Sequence, residues 1–558
     1  MSDQIRPVGT LRPSQLLWSF GPGAVVDLPR LSVVVMGLDR WNAESSRPVA
    51  EPRLLDAVRN HSCGLAHGVN RLLVPGVPPG GTDRIGRDLE TAQRYGIPVS
   101  PFPQWLRCPV CQKLAQSDSG TFELRVDEWY PDRTGYYHTH CPSIKKGKPP
   151  AAVPARFLVA CENGHLDDFP WSYFVHGGKT CGGTLKFNER GNSLETEDLW
   201  VECEKCKAKR PMSQAFGEAQ QANLPKCRGR HPHILQFDTS CDKPLRPILL
   251  GASNAWFPVT LSSLTLPRDV SAIQRVVEAN MTLFSTVPNE TVLQVVLDSI
   301  RQVPGVDQRL FDYSAPDLFA ALVELREADA DQTSRSDTTD LKAPEWEVFS
   351  GITDVVDKEN LLARPEPAPD RFRSQMAAVL RLERVREVQT IVGFTRVTPP
   401  DEEIEQDEYS AVVPLGSDTV DWLPASVVRG EGILLRFDPD AVRQWMKRDA
   451  VKERMQYLER GHRQYRTQRR ALDASAGFPG IVYAMLHTLS HLLVRELSIA
   501  CGYNAASIRE RIYANDEPAD GMAGILLYTA SPDSDGTLGG LVDLGRANKP
   551  GPLLDGAL

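Results

Sequence analysis

Ten of the eleven cysteines of this chain fall between Cys63 and Cys241, and the rest of its 558 residues hold only Cys501. Two pairs have Cys-x-x-Cys spacing, Cys108/Cys111 and Cys203/Cys206. That spacing lets two thiolates on one tight turn reach the same ion, and two half-sites of this kind make a tetrahedral zinc centre. The first centre expected joins Cys108-Pro-Val-Cys111 to His138-Thr-His-Cys141, with His140 as the competitor of His138. A second begins at Cys203-Glu-Lys-Cys206 and needs two more ligands, for which Cys227 and Cys241 are next along the chain. Their separation is long for a knuckle, and Cys181 can replace either. Cys161-Glu-Asn-Gly-His165 either donates ligands or packs as structure. Cys63 and Cys501 read as small buried hydrophobes. Three thiolates and an imidazole leave the ion no open position, so zinc here is expected to be architectural.

Catalytic arrangements have weaker support in the sequence than structural ones. A His-Glu-x-x-His motif is absent. His487 and His491 have the i, i+4 spacing that puts both imidazoles on one helical face. Their flanks Leu486, Leu489, Leu492 and Leu493 are apolar, so hydrogen-bonded core or interface histidines are expected. Gly178-Lys-Thr180 has the tail of a phosphate-binding loop, yet Tyr173 stands where its leading glycine belongs. No Ser/His/Asp or Cys/His arrangement has a familiar spacing, and no catalytic residue is assigned.

Two basic stretches remain for nucleic acid. Residues 443–470 carry ten Lys or Arg against Asp449, Glu453 and Glu459, with Trp445, Tyr457 and Tyr465 interleaved. Arg454, Arg460, Arg463, Arg466, Arg469 and Arg470 would form a cationic ridge on a helix, able to neutralise phosphates without reading sequence. A solvated face or a dock for an acidic partner is the competing reading. Residues 371–396 hold six arginines, but Glu383 and Glu387 lie among them and intrahelical pairing would consume part of that charge.

The elements that must position these groups come from composition and periodicity. A net charge of −9 excludes a protein that coats nucleic acid over its whole surface. No stretch is apolar enough to span a membrane, and the opening MSDQIRPVGTLRPSQ has no secretory pattern, so a reducing cytoplasm is expected. Breaks are expected at residues 74–84, 145–154 and 327–340, with an acidic loop at 398–408. They divide the chain into an N-terminal region (1–103), a cysteine-rich region (104–246), a largely helical middle (247–420) and a C-terminal α/β region (421–558). The fold class is mixed α/β and multidomain, with a zinc-ribbon-like cysteine-rich part. Apolar runs at 432–437 (GILLRF) and 524–528 (GILLY) predict buried strands. The leucine spacing of residues 480–500 predicts a helix stopped by Gly502, and Ser507-Ile-Arg-Glu510 predicts a second, short one. Residues 533–540 (DSDGTLGG) predict a tight turn.

The run LHTLSHLLVRELSIACGYNAASIRERIY followed by GILLYTASPDSDGTLGGLVDL resembles the helicase-associated domain of unknown function found at the C-termini of some DEAD/DEAH-type helicases. RPSQLLWSFGPGAVVDLP, CENGHLDDFPW, GASNAWFPVTLSSLTLP and REVQTIVGFTRVTPP extend the resemblance along most of the chain, to stand-alone members of the DISARM anti-phage system. The resemblance implies a non-catalytic subunit that forms a heterodimer with a superfamily 2 helicase (DrmA-like), engages DNA with it, and acts beside the system's methyltransferase. The alternatives are a metal-dependent nuclease built on His487 and His491, and a scaffold that never touches DNA. Related proteins generally continue into a cysteine-rich C-terminal cluster. Here only Cys501 lies in that half, so a third zinc site of that kind has no residues; either that end is missing from this sequence or this member lacks it.

Overall fold

The computed structural model describes residues 11–558 except 62–67, 78–93, 128–132, 145, 190–195, 268–271, 285–286, 302, 304–305, 336–339, 401–411, 418–419, 469–472, 517–520, 532–539 and 548. Its chain packs as two units built from discontinuous segments. The first takes Met1–Pro48, His61–Leu261 and Thr390–Ser426, and the second Val49–Asn60, Ser262–Gln389 and Val427–Leu558. These interleaved units differ from the four consecutive regions expected from composition.

In the first unit a six-stranded antiparallel sheet runs in the order Val153–Pro154, Trp105–Arg107, Lys113–Gln116, Leu185–Glu189, Leu199–Cys203, Lys209–Pro211. Leu185, Phe187, Leu199, Val201 and Cys203 alternate inward, which is the period-two pattern of a half-buried sheet. A three-stranded sheet, Leu166–Asp168, Phe157–Ala160 and Arg246–Leu249, shares its core with the first. Phe157 is the hub of that core, with its ring centroid 5.9–6.4 Å from those of Phe169, Trp171, Phe187 and Phe216. Among the described residues, no strand between 99 and 249 is longer than five residues.

The second unit is organised by a sheet in the order Val356–Lys358, Leu361–Glu366, Met376–Thr395, Trp422–Phe437, Ala523–Ser531, Ile508–Ala514, of which residues 390–395 and 422–426 belong to the first unit. Ile433, Leu435, Ile525 and Leu527 face one layer of core with Leu486, Leu493 and Leu497 of the helix Gly480–Cys501. Leu434, Leu526 and Tyr528 face the other, with Phe349 of the helix Lys342–Gly351. Both faces are covered, which is why GILLRF and GILLY are continuous apolar runs. Gly502 closes the long helix in the left-handed region, at φ 70°, as its sequence predicts. A helical cluster, Ala272–Ala279, Met281–Phe284, Glu290–Ile300 and Ala315–Arg335, packs around Val277, Leu293, Leu318 and Leu322.

Several local expectations are corrected. The arginine-rich stretch is the strand Met376–Thr395, because its Val, Ile and Thr content suits a buried pleat better than a helix. Its charges are consumed across strands: Arg364 meets Glu383 at 3.0 Å, Arg381 meets Glu366 at 2.8 Å and Arg384 meets Asp357 at 3.0 Å. The short helix expected after Ser507 is the strand Ile508–Ala514; the Ser507 hydroxyl donates to the carbonyl of Asn504 rather than capping a helix. The described α-helices of the middle lie between Ala272 and Gly351, with strands on either side, and the break expected from 327 is helix to Arg335. The acidic loop 401–408 and most of 533–540 lie outside the described residues.

One buried ion pair ties the second sheet to its helix. The Glu345 carboxylate, fully excluded from solvent, accepts from Arg511 at 2.5 and 2.8 Å, from the Tyr513 hydroxyl at 2.9 Å and from the Leu264 amide at 2.9 Å. Removing one partner of such a pair strands the other charge at a cost of about 3–5 kcal/mol. Glu345→Leu is therefore expected to lower stability by that amount in urea unfolding, and the double change with Arg511→Leu to recover part of the loss.

Candidate metal centres

Three clusters of four Cys and His side chains lie among the described residues, each with its ligand atoms within 4.8 Å of one another. The first is Cys108, Cys111, His138 and Cys141. Cys108 ends the strand Trp105–Arg107 and opens a knuckle. Its amide donates to the Lys113 carbonyl and its carbonyl accepts from the Gln112 amide, both at 2.9 Å, with Gln112 at φ 64°. The second turn carries His138 and Cys141 and follows the strand Gly135–Tyr137. His138 is buried with the Phe122 ring edge-on to it at 5.4 Å, whereas His140 is exposed and outside the cluster.

The structure does not bring Cys203/Cys206 and Cys227/Cys241 together. Cys227 and Cys241 join Cys161 and His165, while Cys203 and Cys206 join His176 and Cys181. The reason is strand pairing. Cys227 and Cys241 flank the hairpin Arg230–His231/Gln236–Phe237, and the Cys227 amide donates to the Lys243 carbonyl at 3.0 Å, so the residues between them form a closed hairpin. Cys161 and His165 bracket the turn between Phe157–Ala160 and Leu166–Asp168, with Gly164 at φ 76°. Cys203 repeats the knuckle of Cys108: its amide donates to Ala208 at 2.9 Å, its carbonyl accepts from Lys207 at 3.0 Å, and Lys207 stands at φ 61°. Gly183 is required beside it, since a Cβ there would sit 2.4 Å from the Cys203 sulfur.

The spacings fit zinc. Zinc–sulfur bonds of about 2.3 Å and zinc–nitrogen bonds of about 2.0–2.1 Å give tetrahedral edges of about 3.8 Å between sulfurs and about 3.5 Å between sulfur and nitrogen. The observed sulfur–sulfur distances are 3.9 Å for Cys108–Cys141, 3.9 Å for Cys161–Cys241 and 3.8 Å for Cys181–Cys203. Sulfur–nitrogen distances are 3.5 Å for Cys111–His138 Nδ1 and 3.3 Å for Cys161–His165 Nδ1. A disulfide, at about 2.05 Å, is excluded for all of these. The third cluster adds an orphan. His176 Nδ1 is 2.7 Å from the Ser172 carbonyl, leaving Nε2 buried without a hydrogen-bond partner and free to ligate.

Crowded thiols must also share protons. Cys161 is held down to about 4, chiefly because the Cys227 thiol donates to it, and Cys227 is pushed up in return. Burial pushes Cys111 up to about 12. A dication takes the place of those protons and cancels the charge they balanced. With three thiolates and a neutral imidazole, each zinc centre would carry a net charge of −1. At the Cys161 centre that charge has a buried counterpart, Arg396. Its guanidinium donates to the carbonyls of Gly164 at 3.0 Å, Gly23 at 2.7 Å and Ala255, and desolvation lowers it to about 9. Arg230 bridges Asp167 at 2.8 Å and Asp168 at 2.9 Å, and so fastens one ligand-bearing hairpin to the other.

Of the arginines expected to meet phosphate, Arg454, Arg460 and Arg463 are exposed on the helix Asp449–Gln468. Arg463 pairs with Glu459 at 2.6 Å, and Arg454 lies over the Tyr457 ring at 5.3 Å. Arg466 is corrected: it is buried, donating to the Asp473 carbonyl at 2.8 and 3.0 Å. Arg469, Arg470 and Cys63 lie outside the described residues. His165 and His176 carried a weaker signal than the Cys-x-x-Cys pairs, single imidazoles four and five residues from Cys161 and Cys181.

These centres, set in a mixed α/β chain, define a zinc-binding protein whose three clusters each close on four protein ligands. Residues 12–257, which contain all three clusters, match a domain of unknown function (DUF8724), and residues 489–557 match the MrfA Zn-binding domain. In the latter stretch the cysteines and histidines are His491 and Cys501 alone. The chain is 31% identical over 489 residues to the DISARM protein DrmB of Bacillus paralicheniformis, covering 85% of this chain and 81% of that one. It belongs to the DrmB family.

Three zinc ions per chain are expected by elemental analysis from the described clusters, and Cys141→Ser, Cys206→Ser and Cys241→Ser should each remove one. Arg396→Leu should weaken zinc retention at the Cys161 centre about 10–100-fold against a chelator, the range for losing an outer partner of a metal site. Unchanged retention would show that its charge does not support that ion.

Proposed function

We propose that this chain is a non-catalytic component of DISARM anti-phage defence that partners a DrmA-like superfamily 2 helicase as a heterodimer and helps it hold DNA in the cytoplasm. The observation that carries the reading is the closure of all three thiolate clusters, each with four protein ligands and no position for a reacting water. Such ions shape a platform and do not activate a nucleophile. DrmB family membership supports the defence role. The exposed Arg454, Arg460 and Arg463, with Tyr457 and Tyr465 exposed beside them, are the phosphate-contacting group, since guanidinium and ring together suit a strand backbone and its bases. In the described residues no helix is long and apolar enough to cross a membrane.

The test is co-purification with the helicase, then DNA binding by the helicase alone and by the pair across a salt series. The pair should bind more tightly, and replacing Arg454, Arg460 and Arg463 together with Ala should reduce the salt slope by about 2–3, at about 0.9 for each phosphate no longer neutralised. An unchanged slope and affinity on adding the subunit would leave a scaffold that does not touch DNA. Cleavage of DNA by the purified subunit, abolished by His487→Ala, would replace the proposal with the nuclease reading.

A further inference from the structure

His487 and His491 sit one turn apart on the helix Gly480–Cys501, and neither is a core residue: their side chains are 41% and 67% exposed. The carboxylate missing from the local motif comes from another element. Glu510, on the strand Ile508–Ala514, brings Oε1 to 2.9 Å from His487 Nδ1 and 4.0 Å from His491 Nε2. Its other oxygen accepts from the Ser490 hydroxyl, which fixes the carboxylate with Oε1 turned toward the imidazoles. The two histidine rings stand edge to face at 4.5 Å, and Tyr483 stacks on His487 at 5.5 Å, which holds that ring in place. All three ligand atoms lie within 4.8 Å of one another.

We propose that His487, His491 and Glu510 form a fourth metal site, for a divalent transition ion of the zinc or cobalt kind. Two imidazoles and one carboxylate on neighbouring elements are the donor set that such ions take when they keep open positions. The donors contrast with the thiolate clusters in every respect that governs exchange. They are nitrogen and oxygen, they are partly exposed, and there are three. An ion here is exchangeable and retains a coordination position for water or an anionic oxygen. The closest pair, His487 and Glu510, already matches an octahedral edge of about 2.9 Å for bonds of about 2.0–2.1 Å, so a rotation of the exposed His491 ring completes the set. The site stands whether or not the chain assists a helicase.

The experiment is titration of the full zinc-loaded chain with Co2+, followed by absorbance and calorimetry. One cobalt per chain is expected beyond the thiolate-bound zinc, with ligand-field bands but without thiolate charge-transfer bands, because no sulfur is a ligand. His491→Ala, at an exposed position, and Glu510→Gln should each weaken cobalt binding at least about tenfold while the thiolate-bound zinc stays unchanged. Failure to bind cobalt overturns the proposal. So does binding that survives both changes, and loss on His491→Ala without loss on Glu510→Gln would reduce the site to a histidine pair and overturn the three-ligand assignment.

Discussion

Short strands cannot hold a domain by their ladders alone, and the first unit relies on them. Between residues 99 and 249 the described strands have two to five residues each, at or below the usual length for a strand. What closes the architecture is the convergence of their turns. The Cys and His of the three clusters stand at the ends of strands and helices or in the turns and loops that join them, so each ion ties together segments separated in sequence. Cys161, Cys203 and Cys227 also belong to the hydrophobic core around Phe157 and Trp171. Metal coordination and core packing therefore stabilise one another: the core places the thiolates, and the ion stops the turns from opening.

The second unit solves the same problem by different means. Its sheet includes strands long enough to be covered on both faces, and its layers are fixed by apolar packing together with the buried ion pair of Glu345 with Arg511. The described residues of this unit contain one cysteine, Cys501, whose thiol donates to the Leu497 carbonyl at 2.7 Å. A chelator acts directly on the first architecture, whose turns the thiolate centres join.

How far the sequence can be read follows from the range of each signal. The Cys108/Cys111 and Cys203/Cys206 knuckles are local, because a turn of six residues sets the hydrogen bonds and the positive φ at Gln112 and Lys207 that aim both thiolates. Which half-sites share an ion is a matter of strand pairing, which spacing does not encode, and so spacing alone joins Cys227 and Cys241 to the wrong knuckle. The buried runs at 432–437 and 524–528 are legible because burial on both faces leaves a continuous apolar stretch. The strands at 376–395 and 508–514 are not, since their arginines and glutamates pair across the sheet at distances that a single segment cannot reveal. Glu510 and the histidines of the long helix meet for the same reason, through a packing of helix on strand that no motif announces.

The basic helix shows how much charge a ridge retains once it is folded. Of the four described arginines expected to contact phosphate, Arg466 is withdrawn to hold a backbone carbonyl and Arg463 already shares its charge with Glu459. Arg454 and Arg460 remain exposed, alongside Tyr457. Arg454, Arg460 and Arg463 can neutralise about two or three phosphates, below the roughly six to ten that give strong salt-dependent binding. In the proposed function these exposed arginines would add to the grip of a partner that binds DNA already, a contribution of about two or three phosphates rather than a complete footprint.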